Sequence, residues 1–156
     1  KSQVALRSEY RFGMGGGKII DVTVSTEEAE DVSEVSLNEP IVLSILIELN
    51  TEFENPVFTM TLRNTSGIDV WGFNSKNIGI EITPGQGKRR ITVKIPNNLG
   101  AGSYTINAGL IDMLSDGQYH EHDHRWGMKL LSIIGKSKTI GFINMEPVLL
   151  KKEDLG

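Results

Sequence analysis

PVFTMTLRNTSGIDVWGFNSKN (Pro56–Asn77) and RRITVKIPNNLGAGSYTINAGL (Arg89–Leu110), joined by a turn-rich gap, decide the fold class of this chain. In the first, Phe58, Met60 and Leu62 alternate with Val57, Thr59, Thr61 and Arg63. A period of two is that of a strand with one face in a core and the other in water. In the second, Ile91, Val93 and Ile95 alternate with Thr92 and Lys94, and Tyr104, Ile106, Ala108 and Leu110 alternate with Thr105, Asn107 and Gly109. Asn64–Gly67 and Pro84–Gly87 carry the Gly, Asn and Pro residues of turns.

Outward from this stretch the pattern recurs. Ile41–Asn50 is the strongest strand, with Ile41, Leu43, Ile45, Ile47 and Leu49 on one side; Lys18–Ser25, Ile68–Asn74, Trp126–Ile134 and Thr139–Met145 are further strands. The acidic stretch Thr26–Leu37 suits a short helix or a solvated loop. Short strands without long helical patterns between them exclude a doubly wound parallel sheet and leave a sandwich or a barrel. One apolar and one polar face on most strands favours an antiparallel β-sandwich, all-β. No internal repeat or low-complexity tract divides the chain, so 1–156 is expected to form one domain.

A chain of 156 residues can bury roughly two thirds of its unfolded surface, enough for one core without metal or disulfide. Cysteine is absent, which removes disulfides, thiol catalysis and thiolate zinc ligation. A net charge of −4 gives no long-range attraction for nucleic acid, and none is expected as a partner. No apolar run approaches the roughly 18 residues of a membrane span. The chain opens on Lys1, and an excised part of a longer polypeptide is expected.

Three motifs in order, R-F-G-x-G-x-x-x-I at Arg11–Ile19, G-x-x-V-x-G-x-N at Gly67–Asn74 and L-x-x-G-x-Y at Leu99–Tyr104, resemble the C-terminal carbohydrate-binding domain of the ATPase subunit of O-antigen polysaccharide ABC exporters, the Wzt type. The resemblance runs from about Arg11 to Phe142. It implies an immunoglobulin-like or jelly-roll sandwich that follows a nucleotide-binding domain and binds finished O-antigen polysaccharide before export. It also implies a cytoplasmic location peripheral to the inner membrane, contact with a transmembrane exporter subunit through the parent protein, and ATP hydrolysis outside these residues. No motif of the resemblance maps individual sugar contacts.

Two segments invite other chemistry. GMGGGK (Gly13–Lys18) suggests a phosphate cradle, but a P-loop needs Gly where Phe12 stands and Ser or Thr where Ile19 stands. A bend feeding the first strand is the alternative. His120, His122 and His124 alternate with Glu121 and Asp123; on an extended strand neighbouring histidines lie about 6.6 Å apart and could share an ion, whereas His120 and His124, about 13 Å apart, could not. The other reading is an exposed polar hairpin. No metal or other cofactor is expected.

A sugar presents an apolar C–H face that packs on an aromatic ring and a rim of hydroxyls that seek amide, guanidinium or hydroxyl partners. Thr59, Thr61 and Arg63 on one strand, Trp71 and Asn74 on the next, and Thr105 and Asn107 on a later one are the candidate carbohydrate-binding residues. Trp71 either offers a platform or pairs with Phe73 in the core, and Trp126 stands beside the histidines with Tyr119 just before them. A shared site requires these strands to be sheet neighbours. Three functions stay open: a noncatalytic polysaccharide-binding module, a protein-interaction sandwich, or a metal-dependent enzyme using His120–His124. The apolar Lys138–Leu150, with Pro147 tolerated at an edge, further suggests a homodimer by exchange of the C-terminal strand.

Overall fold

The computed structural model describes residues 9–156 and shows nine strands: β1 (Tyr10–Phe12), β2 (Gly17–Ser25), β3 (Glu34–Ser36), β4 (Ile41–Leu49), β5 (Pro56–Asn64), β6 (Asp69–Asn74), β7 (Gly87–Ile95), β8 (Gly102–Met113) and β9 (Tyr119–Ile134). They make two sheets. The larger runs β1-β9-β8-β5-β6, with β3 also on β9; the smaller runs β2-β4-β7. Every pairing is antiparallel except β3 with β9, which is parallel. The fold is therefore the expected antiparallel β-sandwich.

The core follows from the alternation. Ile41, Leu43, Ile45, Ile47 and Leu49 of β4 are at most 1% exposed and belong to one cluster with Phe58, Met60 and Leu62 of β5, Ile106 and Leu110 of β8 and Leu131 of β9. Each such side chain, fully buried, contributes on the order of 1.5–3 kcal/mol. Tyr104, the third residue of β8, is buried, and its hydroxyl donates to the Gly100 carbonyl at 2.7 Å. That bond ties the start of β8 back to the turn before it and gives the tyrosine of the L-x-x-G-x-Y motif a structural role.

One expectation is corrected and two are refined. Thr139–Met145 is not a strand: it makes one bridge, Leu99 with Ile143, flanked by backbone bonds from Gly100 to Phe142 and from Asn144 to Asn98. Local bonds win there, since the Ser137 hydroxyl donates to the Thr139 carbonyl and accepts from the Thr139 N–H. Of the two readings of Thr26–Leu37 the loop is the one found: Thr26 Oγ1 accepts from the Glu28 and Ala29 N–H groups, and the short strand β3 closes the stretch with Val35 buried. The histidines lie on the hairpin of β8 and β9, where His120 is exposed, His124 half-buried and His122 buried. β9 begins at Tyr119 and carries them as strand residues, the turn lying at Leu114–Gln118.

The glycine cluster also has a structural cause. A Cβ on Gly13 would overlap the His122 carbonyl, and one on Gly16 would stand 2.5 Å from His122 Nδ1, so the loop needs glycine to close over β9.

Candidate functional site

Strand order turns the scattered candidates into one surface. β6, β5 and β8 are consecutive neighbours, with Thr59 opposite Asn74 and Gly109, Thr61 opposite Gly72 and Asn107, and Arg63 opposite Asp69 and Thr105. Paired residues share a sheet face. Thr59, Thr61, Arg63, Asn74, Thr105 and Asn107 therefore occupy the outer face of the large sheet, opposite to Phe58, Met60 and Leu62. Trp71 is set apart from them. It pairs with Leu62, packs 5.5 Å from Phe73, and walls an apolar cavity of about 170 Å³ with Ile41, Leu62, Leu99 and Ile143. It stands on the core side at the sheet edge.

The outer face also carries aromatic side chains that sequence reasoning did not place there. β1 pairs with β9, setting Tyr10 opposite Trp126 and Phe12 opposite His124. Phe12 stacks on His124 at 5.0 Å between centroids with planes 14° apart, His124 stacks on Trp126 at 5.2 Å and 13°, and Tyr10 lies 5.5 Å from Phe12. The His124–Trp126 spacing of two on one strand was the available signal; the arrival of β1 was not visible. The guanidinium of Arg63 completes the row, 4.3 Å from the Trp126 ring centroid, and its Nε donates to Asp69 Oδ1 at 2.9 Å.

Several ties hold this row in place. Asp123, 4% exposed, accepts from Arg11 through both oxygens at 2.8 and 2.6 Å and from the Ile19 N–H at 2.7 Å, fixing β1 to β9 and both to the small sheet. The hydrogen bonds that Arg11 donates to Asp123 raise the Arg11 pKa further, against the opposing effect of burial. Arg125 points the other way from Trp126 and donates to the Ile19 and Ile20 carbonyls. Between Arg125 and Lys129 the β8–β9 ladder shifts register, and this bulge leaves the Gly127 N–H to donate to Asn107 Oδ1 at 2.6 Å. Asn107 is 3% exposed and its Nδ2 has no partner among the described residues.

The histidines diverge. His124 lies on the outer face and bonds Glu121 through Nδ1, whereas His122 is 8% exposed, 4.3 Å from the Phe53 ring, with Nδ1 unpartnered. Burial chiefly lowers the His122 pKa, with Asp112 opposing and His120 adding to the shift. Among the described residues no three His, Cys, Asp or Glu side chains converge to hold a metal. A cavity of about 360 Å³ lies behind β1, lined by Arg11, Lys18, Glu48, Lys88 and Arg125 among others.

The antiparallel sandwich thus presents a stacked aromatic row beside threonine and amide side chains on one sheet face. The chain belongs to the Wzt C-terminal domain family, whose model matches residues 8–145, and with that membership goes a role in an O-antigen ABC exporter. Among solved structures it is similar to the C-terminal domain of Wzt, at a TM-score of 0.83 and 20% identity over 94% of this chain and 90% of that one. It is also similar to a Niemann-Pick type C2 protein from Japanese carpenter ant, at a TM-score of 0.55 and 12% identity over 81% of this chain and 99% of that one. At these identities the likenesses speak to the fold. A search of curated proteins gave no match. No helix of the described residues is long and apolar enough to cross a membrane.

Proposed function

We propose that this domain is a noncatalytic module that binds O-antigen polysaccharide for ABC-transporter export, as part of a longer ATPase subunit that sits on the cytoplasmic side of the inner membrane against its transmembrane exporter partner. The observation that carries the reading is the outer face of the large sheet, where Trp126, His124, Phe12 and Tyr10 run beside Thr59, Thr61, Thr105, Asn74 and Arg63. Rings supply the surface for C–H faces, and hydroxyl and amide groups supply partners for the sugar rim. An extended open face suits a polymer better than a closed pocket does.

Titration of the 15N-labelled domain with O-polysaccharide purified from the strain that encodes it tests this. Saturable shift changes confined to amides of β5, β6, β8 and β9 are expected. No binding, or changes concentrated on β2, β4 and β7, overturns the reading.

The same proposal includes a homodimer formed by exchanging the segment 138–150. This segment leaves β9 without joining a sheet and exposes Ile140 at 98%, Leu149 at 76% and Leu150 at 94%. Exposed apolar runs of this kind call for a partner surface. Deleting the chain after Gly135 is expected to give a monomer or an insoluble product in sedimentation analysis; a soluble, folded dimer after that deletion removes the exchange from the proposal.

A further inference from the structure

The ring that a sugar would most readily use is already occupied. Arg63 lies over Trp126 at 4.3 Å from its centroid while His124 stacks parallel to the same indole at 5.2 Å. A guanidinium and a pyranose C–H face seek the same π surface, so they compete for it. The two neighbours are held differently. His124 is fixed on its own strand between Phe12 and Glu121. Arg63 reaches from β5 across β8 to β9, and its tie at the far side is Asp69, an ion pair whose side chains are 31% and 48% exposed. Ion pairs that exposed are weak and readily exchanged for other partners.

Two residues along β8 from the partner of Arg63 stands an unanswered donor. Asn107 is on the outer face opposite Thr61, and Arg63 pairs with its neighbour but one, Thr105. The Gly127 N–H can only donate, so the Asn107 atom it meets is the carbonyl oxygen and the amide orientation is set. The Nδ2 group is thereby directed away from that bond, buried and without an acceptor. A buried donor left unpaired is unfavourable, and such a group in a folded protein asks for an explanation.

We infer that Arg63 is a displaceable cover over the glycan site: on binding, the guanidinium leaves Trp126, a pyranose ring takes its place on the indole, and an acceptor oxygen of that sugar, a hydroxyl or an acyl carbonyl, receives the Asn107 Nδ2–H. This rests on the polysaccharide reading above and makes Asn107 its specificity-determining donor. It assigns Arg63 the opposite sign from a simple contact, since removing the cover strengthens binding.

The test is calorimetric titration of the domain with O-polysaccharide from the encoding strain. Arg63→Ala is expected to raise affinity by roughly threefold, the scale of an exposed cation–π contact no longer competing. Asn107→Asp keeps the acceptor for Gly127 and loses the donor, and is expected to lower affinity about tenfold. In a Trp71→Phe background, emission from Trp126 should change as polysaccharide saturates; this readout needs no variant at Asn107 and holds even if that variant folds poorly. Arg63→Ala binding that is unchanged or weaker overturns the cover, as does a folded Asn107→Asp variant with native affinity or an indifferent Trp126 signal. In each of these cases the native domain still binds, so the polysaccharide reading survives; a native domain that does not bind overturns both.

Discussion

The outer faces of the two sheets are both polar, yet they are built from different material. On the large sheet, rings and short hydroxyl or amide side chains interlock: Phe12, His124 and Trp126 stack, Arg63 covers Trp126, and Asn107 bonds back to Gly127. On the small sheet, the corresponding rows are long charged chains. Lys18, Glu48 and Lys88 stand in one register row, Arg90 donates to Ser44 at 2.7 Å, and Lys94 approaches Glu27 at 3.4 Å. Flexible charged chains keep a face hydrated and adaptable, whereas rings locked by neighbours present a fixed surface. Polarity alone therefore does not mark a site; a polar face that also carries ordered aromatic area does.

The largest expected effect separates the two tryptophans. Trp71 packs on the core side against Phe73 and Leu62, so Trp71→Ala should destabilise the domain by about 3 kcal/mol. For a chain of this length that lowers the melting temperature by roughly 6–12 °C. Polysaccharide affinity measured well below the transition should stay native. Loss of affinity with little loss of stability would transfer the platform from Trp126 to Trp71 and break the contrast between the faces.

How much of this could be read from the chain depends on how local the cause is. The strands β4, β5, β7 and β8 are legible because Ile41–Leu49 and Phe58–Leu62 alternate strictly and the alternation is set by burial on one side. The shared face of Thr59, Thr61, Arg63, Thr105 and Asn107 is legible within each strand, but that β5 lies between β6 and β8 is a matter of topology. The Tyr10–Phe12 strand reaches β9 across more than a hundred residues, and its aromatic contribution follows from that pairing alone. The bond from the Gly127 N–H to Asn107 arises at a bulge, which no period of two records. Thr139–Met145 shows the converse. Ile140 and Phe142 stand two apart as in a strand, yet among the described residues the segment makes a single bridge, Ile143 with Leu99.

A smaller effect concerns the strand that links the aromatic face to the glycine loop. His122 is kept neutral by burial, its pKa lowered from the usual value of 6.5. The unfolded chain then binds this proton more readily than the folded one. The stability this represents is fully present above the unfolded pKa and is lost as pH falls through the lower folded value. Urea denaturation between about pH 7.5 and 5 should show a steeper loss of stability in the native domain than in His122→Phe, whose ring can keep the contact with Phe53. Equal slopes in both would mean that His122 is not protonated during that loss.

The smallest effect is expected where the contrast predicts none. Lys88 and Lys94 stand exposed on β7, and the only ion pair either makes among the described residues joins Lys94 to Glu27, with side chains 62% and 73% exposed. A Lys88→Ala, Lys94→Ala double variant should therefore change stability by about 0.5 kcal/mol or less. It should also leave polysaccharide affinity within about twofold, because steering by two rim charges acts on the association rate and is screened at physiological salt. The measurement is informative because Lys88 also lines the basic cavity with Arg11, Lys18 and Arg125. If the double variant instead weakened binding tenfold and the deficit shrank as salt was raised, an acidic glycan would be engaging that cavity. The charged face, rather than the aromatic one, would then be where the polymer is held.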